Sequence, residues 1–250
     1  MRHFLISLIA ATTCATVLSA CNDNNAPKNT PAATAAPTLN DATSAKAAET
    51  ARQEVIANAR EKADKSTPLA SYQPLDSGNQ LMYSYLALAG LPIDYREIAA
   101  KVSVDYARSN DEFQKSDLLK ALQPRIDAAV SAAKGNRYFK LVLNSPVDKY
   151  DFDKKGFPLN SSVWESGSYR YFNDNSNYHL SFTNGDGFHY LSNVPEDAAR
   201  QIESLRSVYN GLDLVVYCFA QGADPASRTV KAEIVKIAVV DRKGNVLAQQ

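Results

Sequence analysis

The sequence predicts an α+β domain in which N-terminal helices are followed by a mainly antiparallel sheet, with one short helix inserted before the final hairpin. Between about residues 76 and 134 the apolar side chains recur with helical spacing, whereas after Gly135 they alternate as in strands. Two strong apolar strands then close the chain, and this order of elements is an α+β plan. With 250 residues, 45% of them hydrophobic, we expect a single domain with a substantial core over 68–250.

The first two predicted helices carry start and stop signals. Asp76 or Ser77 is a good N-cap for the first helix, and Gly90 ends it. The second follows Pro92, because Asp94 and Glu97 have the spacing of a capping box. We expect this helix to continue through Val104 and Tyr106.

A third helical region extends from about 111 to 134 and contains Pro124. Proline cannot donate a hydrogen bond inside a helix, so we expect a break there, with Pro124 opening a new helix that ends at Gly135.

The strands follow in the second half of the chain. Pro195 opens the short inserted helix. Lys231, Glu233 and Lys236 alternate with apolar neighbours, which indicates one wet face and an antiparallel pairing. Strands are predicted over 138–143, 169–173, 178–183, 188–192, 212–220, 229–241 and 245–248.

The first 67 residues divide into three segments. Residues 1–20 have a cationic start, an apolar stretch and small residues at the end, as in a secretory signal peptide. Residues 21–48 are rich in Ala, Asn, Thr and Pro and cannot bury enough surface to fold, so they predict a disordered linker. Residues 49–67 begin with good helix formers and predict a helical connector.

Residues Leu18, Ser19, Ala20 and Cys21 resemble the lipobox of bacterial lipoproteins. The resemblance implies cleavage before Cys21 and attachment of lipid, including palmitate, to this residue. Asn22 follows the cysteine, whereas an Asp at this place resembles an inner-membrane retention signal, so outer-membrane anchoring facing the periplasm is the expectation. An ordinary signal peptide with a coincidental cysteine is the alternative. The region 68–250 resembles, in general style only, the domains of uncharacterised bacterial envelope lipoproteins.

The lipobox changes how the cysteines are interpreted. Cys14 leaves with the signal and Cys21 carries the lipid, so Cys218 is left without a disulfide partner in the folded part. It stands in an apolar strand, and we expect its thiol to be buried as a small hydrophobe.

Charge and motifs exclude several functional classes. The formal net charge is +0, and loss of Arg2 with the signal leaves 26 Lys and Arg against 27 Asp and Glu, so nothing indicates a nucleic-acid partner. No phosphate loop, G-x-S-x-G elbow, H-E-x-x-H or C-x-x-C motif is present. No cofactor, metal or catalytic residue is therefore predicted. After the signal only His179 and His189 remain, each beside an aromatic residue, and we favour packing roles for both.

Two Asn-, Asp- and Gly-rich loops, 173–177 and 184–187, carry oxygen ligands that calcium accepts, but they lack the central Gly and terminal Glu of an EF-hand loop. We interpret both as hairpin turns.

Aromatic residues are dense between Trp164 and Tyr190. Such side chains stack on sugar rings or anchor a protein partner, although in short strands they are often core or cross-strand pairs. Trp164 is the one expected to be most exposed. The candidate binding residues are Trp164, Tyr169, Tyr171, Tyr178 and His189.

These observations favour a non-enzymatic lipoprotein of the cell envelope that is held at the membrane through Cys21 and binds an envelope protein or glycan. The alternative is an envelope hydrolase, acting on a glycan or peptide, whose active site is assembled from scattered positions. A third hypothesis is that the chain is a structural module of a larger assembly, which predicts a broad apolar patch on the surface of the folded domain.

Overall fold

The computed structural model describes residues 46–48, 50, 60–144, 147–208 and 211–250. The chain divides into the units Met1–Ala51 and Arg52–Gln250, and in the first of these residues 46–48 and 50 are helical. The predicted signal peptide, Cys21 and most of the linker lie outside the described residues. Of the predicted helical connector, 49–67, residues 60–67 are not helical and contain bends and a turn, and residues 49 and 51–59 lie outside the described residues. Asp64 accepts hydrogen bonds from the backbone and side chain of Ser66, a local turn that competes with helix.

Apart from two short strands that were not predicted, Gln73–Pro74 and Phe157–Pro158, the second unit contains helices and strands in the predicted order. Its α-helices are α1 (Gly78–Ala89), α2 (Tyr95–Val102), α3 (Val104–Arg108), α4 (Glu112–Gly135) and α5 (Glu196–Arg206). Its strands are β1 (Gln73–Pro74), β2 (Tyr138–Asn144), β3 (Phe157–Pro158), β4 (Arg170–Phe172), β5 (Asn175–Phe182), β6 (Tyr190–Leu191), β7 (Leu212–Asp224), β8 (Thr229–Asp241) and β9 (Val246–Gln249).

Helix α1 confirms the predicted caps. Ser77 is the N-cap and forms a capping box with Gln80, and Gly90 ends the helix in a left-handed conformation with φ 65°. Gly78 allows the first turn to approach the start of β5, because a Cβ there would lie 2.3 Å from the carbonyl oxygen of Asn175. The start of α1 is thus fitted directly against the sheet.

The second predicted helix is interrupted. Asp94 caps α2 by accepting from two backbone N–H groups, but α2 ends at Val102 and α3 starts at Val104. Ser103 has an extended backbone, and its side chain accepts from the N–H of Tyr106, which starts the new helix. A side-chain cap that competes with the helical hydrogen bond accounts for the break.

The break expected at Pro124 is wrong, because α4 is one helix from Glu112 to Gly135 with Pro124 inside it. Leu122 and Ile126 are buried on either side of the proline, and α4 packs against α1, α2 and α3. Packing of both halves against the other helices outweighs the one hydrogen bond that the proline cannot make.

The main sheet is mixed. Its order is β1-β2-β7-β8-β5-β4, and β9 also pairs with β8; β1 with β2 and β5 with β8 are parallel, and the other pairs are antiparallel. Strands β3 and β6 form a separate two-stranded sheet. Strands β4 and β6 are shorter than predicted, whereas β5 begins earlier, at Asn175. The predicted fold class, an α+β domain with a mostly antiparallel sheet and a helix before the final strands, is confirmed.

The two faces of the sheet differ in composition. On the core face, cross-strand neighbours such as Phe139, Cys218 and Ile234 are buried together, and α1 packs over β5, β7 and β8. The opposite face, called the second face below, carries alternate side chains such as His179 and Lys231. The burial predicted for Cys218 is confirmed, since its side chain is fully enclosed. Among the described helices, none combines the length and hydropathy that a bilayer-spanning segment requires.

Candidate binding site

A cleft of about 550 Å³ opens on the second face of the sheet, a volume typical of small-ligand sites. Its walls come from the connector, the loop before β4, the strands β5 and β8, and the turn between β7 and β8. The lining residues are Arg60, Ser166, Gly167, Ser168, Tyr169, His179, Ser181, Phe182, Thr183, Ser227, Thr229 and Lys231.

Strand pairing brings these residues together. In the parallel β5–β8 pair, His179 lies opposite Thr229 and Ser181 lies opposite Lys231. The intervening Leu180 is fully buried in the core, so residues 179 and 181 project from the other face. A pairing between strands some 50 residues apart in the chain therefore builds the floor of the cleft.

Tyr169 and His179 form the aromatic wall. Their ring centroids are 4.2 Å apart with an interplanar angle of 40°, and 55% of Tyr169 is exposed. Tyr171 is also exposed, and its ring centroid lies 6.5 Å from that of Tyr169. His179 Nδ1 is 3.2 Å from the carbonyl oxygen of Ser227. Since a carbonyl only accepts, this contact assigns the proton of the neutral ring to Nδ1 and leaves Nε2 as an acceptor.

The hydroxyl groups of the cleft differ in their partners. The Thr183 hydroxyl donates to Gln221 Oε1 at 2.8 Å, and the Thr229 hydroxyl donates to the Ser227 carbonyl at 3.2 Å. Ser181 is only 7% exposed, and its hydroxyl has no hydrogen-bond partner among the described residues. Because Ser181 lines the cleft and its hydroxyl is not engaged by another described residue, the hydroxyl is placed to bond to whatever fills the cleft.

The described lining carries positive charge and no carboxylate. Arg60 and Lys231 contribute the cations, and neither forms a salt bridge with another described residue. The carboxylates of Asp224 and Glu233 lie near the cleft but accept hydrogen bonds from other groups. The pKa of Asp224 is lowered, chiefly by the hydrogen bond from the Ser227 hydroxyl, with a smaller contribution from Lys231. Glu233 accepts from the backbone N–H of Ala63 at 3.1 Å and from Gln221.

The connector residues 61–64 hold Arg60 against the sheet. Glu61 forms a salt bridge with Arg137 at 2.5 Å, and its carbonyl accepts from Gln221 Nε2 at 2.9 Å. The backbone N–H of Asp64 donates to the Tyr138 hydroxyl at 2.9 Å. Arg137 is itself fixed, because it lies over the Phe219 ring. One wall of the cleft therefore belongs to the segment that leads back toward the predicted linker.

The structure separates the predicted binding residues. Tyr169 lines the cleft, and Tyr171 adjoins it along β4; their binding role stays a prediction. Tyr178 is buried against Tyr85, with ring centroids 5.3 Å apart, so it faces the core. His189 does not line the cleft, and its Nε2 lies 3.9 Å from Asp186, beyond hydrogen-bond distance.

The exposure expected for Trp164 is wrong. Its surface is 1% exposed, and its ring stacks on Phe182 with centroids 5.9 Å apart. Glycine at position 185 lets the backbone of Trp164 approach closely, because a Cβ at this position would lie 2.3 Å from the Trp164 carbonyl oxygen. Trp164 thus packs against Phe182 inside the protein and is not accessible to a ligand.

Sequence reasoning missed Arg60, Ser181 and Lys231 as members of one site. The wet face of β8 was predicted from the alternation around Lys231, and that signal pointed to the correct face. The alternation within β8 does not show which strand pairs with β8, so it could not place Ser181 beside Lys231.

Of the two polar loops interpreted as hairpin turns, only residues 173–174 form one, between β4 and β5, and residues 175–177 belong to β5. The interpretation of 184–187 is wrong, because Gly185–Phe188 form a 3-10 helix between β5 and β6, which do not pair with each other.

Both polar segments have structural partners. The Asp174 carboxylate accepts from the Ser77 hydroxyl at 2.6 Å and from the N–H of Gly78 at 2.8 Å, at the start of α1. The Asn184 side chain bonds to both the N–H and the carbonyl of Ile234. Within the described part of the chain, no group of three or more His, Cys, Asp or Glu is arranged to hold a metal ion.

Comparison with known families identifies part of this architecture. Residues 93–203 match a family model described as a domain of unknown function, DUF4852. This segment, less than half of the chain, extends from the start of α2 into α5. It includes the cleft walls from β4 and β5, whereas Lys231 on β8 lies outside it. Comparisons with curated proteins and with solved structures give no match.

Proposed function

We propose that this chain is a lipid-anchored protein of the cell envelope and that its folded domain binds an envelope glycan in the cleft beside Tyr169. The lipobox at 18–21 supports the anchor, and an anchor on the outer membrane, facing the periplasm, agrees with Asn22. The observation that carries the binding role is an exposed Tyr169, in contact with His179, in the same cleft as the Ser181 hydroxyl, which has no partner among the described residues.

This arrangement suits a sugar. An exposed tyrosine ring offers an apolar face for the C–H side of a pyranose and keeps its own hydroxyl in water. Ser181 and Nε2 of His179 supply a donor and an acceptor for sugar hydroxyls, and Ser166 and Ser168 add hydroxyls at the rim. Sites of this kind combine an apolar stacking surface with a few placed polar groups.

Binding is favoured over hydrolysis by the chemistry of the lining. Most glycosidases use a pair of carboxylates that flank the scissile bond. The described lining offers hydroxyls, a histidine and two cations. The alternative of an envelope hydrolase predicts cleaved products, which the experiment below also detects.

The test uses the full lipidated chain, purified from membranes in detergent and immobilised. Polysaccharide fragments from the envelope of the producing cell are passed over it, and the retained and released material is analysed for size. We expect wild type to retain a polysaccharide fraction intact and Tyr169→Ala to lose most of it. Phe113→Ala, which removes an exposed aromatic ring on α4, serves as the matched control and retains the fraction. Equal retention by Tyr169→Ala, or no retention by wild type, would overturn the proposal.

A further inference from the structure

The cleft combines two features that a neutral sugar does not require. Arg60 and Lys231 both line it, and neither is neutralised by a described carboxylate within the lining. The rest of the described lining is uncharged side chains, His179 and backbone. A cavity with unpaired cations and no acid attracts negative charge.

We infer that the glycan carries an acidic group, a carboxylate or a phosphate, that Arg60 and Lys231 hold. This inference rests on the proposed glycan-binding function and names the class of its ligand. Lys231 stands opposite Ser181 across the β5–β8 pair, so the acidic group and a neighbouring sugar hydroxyl are bound side by side. Tyr169 and His179 then face the ring of the same sugar from the β4 side.

Lys231 forms no salt bridge with the described acids near it, although it lies close enough to Asp224 to help lower the pKa of that carboxyl. Glu233, two residues further along β8, accepts from Ala63 and Gln221, and Asp224 accepts from the Ser227 hydroxyl at 2.8 Å. These bonds occupy both carboxylates with neutral donors. Because the Lys231 ammonium group lines the cleft and forms no salt bridge with a described carboxylate, it can bond to an anion that enters the cleft.

Arg60 makes the connector part of the binding site. Residues 61–64 are fixed to the second face by the Glu61–Arg137 salt bridge and by backbone hydrogen bonds. An acidic ligand that contacts Arg60 stabilises this docked connector, and by reciprocity the docked connector strengthens ligand binding. Weakening the Glu61–Arg137 pair is then expected to lower affinity for an acidic ligand without touching the cleft itself.

The experiment measures dissociation constants by calorimetry for the full chain in detergent. Three probes share one sugar backbone: an oligomer of glucuronic acid, its carboxyl-reduced neutral counterpart, and the neutral counterpart phosphorylated at its primary hydroxyls. We expect at least one acidic probe to bind about tenfold more tightly than the neutral one, as for one charge-assisted hydrogen bond. The acidic probe with the higher affinity identifies the acid.

Charge-neutralising variants test the assignment to residues. Lys231→Gln and Arg60→Gln should each lose about tenfold in affinity for the acidic probe and leave the neutral probe unchanged. Glu61→Gln should show a smaller loss with the same selectivity. Lys236→Gln, on the same strand but outside the cleft, is the matched control and should bind as wild type. Raising the salt to 1 M should weaken only the acidic probes, because the screening length falls to about 3 Å.

The outcomes separate this inference from the function on which it rests. Equal affinity for acidic and neutral probes, or unchanged binding by Lys231→Gln and Arg60→Gln, would overturn the inference and leave glycan binding standing. Failure of all three probes, while envelope fragments are still retained on the column, would also overturn it. Failure of the column experiment would overturn the proposed function and the inference together.

Discussion

The Trp164 side chain lies between Phe182 and Phe188, with ring centroids 5.9 and 6.5 Å away, and its indole N–H has no partner among the described residues. A buried N–H without a hydrogen bond costs free energy, so the packing of the large ring must exceed that cost. Phe182 in turn lines the cleft. Trp164, predicted from its chemistry to bind a ligand, thus packs beneath a residue of the cleft lining.

Burial also determines the chemistry of the Cys218 thiol. Burial raises the pKa of its thiol to about 12, and the side chain is fully enclosed. A group whose pKa is raised on folding contributes stability that is complete below the unfolded pKa, about 8.5 to 9, and is lost as the pH rises toward the folded value. We expect no reaction of Cys218 with Ellman's reagent in the native protein and full reaction in urea.

The alkaline part of this prediction has a matched control. With Cys14 and Cys21 replaced by Ser, the free energy of unfolding should fall between pH 9 and 12 by up to roughly 1.4 kcal/mol per pH unit from this thiol. Tyr72 and Tyr190, whose pKa values are also raised to about 12 by burial, add to the fall above pH 10. Cys218→Ala should remove the thiol's contribution to this pH dependence. Between pH 9 and 10 that contribution is the larger part of the slope, because the tyrosines of the unfolded chain ionise at higher pH. An unchanged slope in Cys218→Ala would contradict the burial assignment.

At the scale of elements, the join between α1 and the β4–β5 turn decides how the helices sit on the sheet. Burial raises the pKa of the Asp174 carboxyl, but hydrogen bonds from Ser77, Gly78 and Asn79 outweigh burial and leave the pKa below its usual value. The negative charge also lies at the positive end of the α1 dipole. A residue that looked like an ordinary turn Asp therefore serves as a second cap for α1.

We expect Asp174→Ala to lower the free energy of unfolding at pH 7 by about 1–2 kcal/mol, the usual cost of losing a cap. A group whose pKa is depressed on folding stabilises above its unfolded pKa, near 3.9, and loses that contribution as the pH falls through the folded value. Urea unfolding at pH 7 and pH 3 measures both effects. The difference between wild type and Asp174→Asn should shrink at the lower pH, whereas Asp186→Ala, exposed in the 3-10 helix after β5, should behave as wild type throughout.

Pro124 provides a second test at this scale. Inside α4 it removes one backbone hydrogen bond, yet Leu122 and Ile126 keep the helix packed. Pro124→Ala should therefore raise the free energy of unfolding, by about 1 kcal/mol, because the regained bond and better helix propensity exceed the added flexibility of the unfolded chain. Thermal and urea unfolding followed by circular dichroism measure the change. A destabilised Pro124→Ala protein would show that the proline ring itself is a packing element.

At the scale of the whole molecule, residues 61–64 lie on the second face of the sheet, and the adjoining Arg60 lines the cleft. The predicted linker precedes them, and a flexible coil of 27 residues would reach about 30 Å from a membrane. Under the proposed anchoring, the ligand site lies beside the segment through which the tethered chain enters its folded domain.

Labelling with a palmitate analogue tests the anchor. Wild type should incorporate the label and partition with membranes, because multiple acyl chains hold a protein firmly at a bilayer. Cys21→Ala should lose the label and leave the membrane fraction. Cys218→Ala, which alters the cysteine buried in the core, is the control and should be labelled normally. An unlabelled wild type, or a labelled Cys21→Ala protein, would contradict the assignment of Cys21 as the lipid carrier.

The predictable features share a local origin. Capping residues, Gly90 and hydrophobic alternation act within a few neighbours, so the sequence alone determined α1, the final strands, the short helix before them and the α+β order. The same local signals determined the exposed side of β8. They also predicted burial of Cys218, since a thiol in an unbroken apolar strand has no polar neighbour to hold it at the surface.

Tertiary structure decided the features in which distant segments compete or meet. Packing against other helices kept α4 continuous at Pro124, and the Ser103 cap divided α2 from α3. Trp164 turned inward because Phe182 and Gly185 meet it from other parts of the chain. The cleft exists only because β5 pairs in parallel with β8 and residues 61–64 dock beside them. Pairing between remote strands depends on the closure of the whole fold, and for that reason no local pattern could place Ser181, Lys231 and Arg60 together.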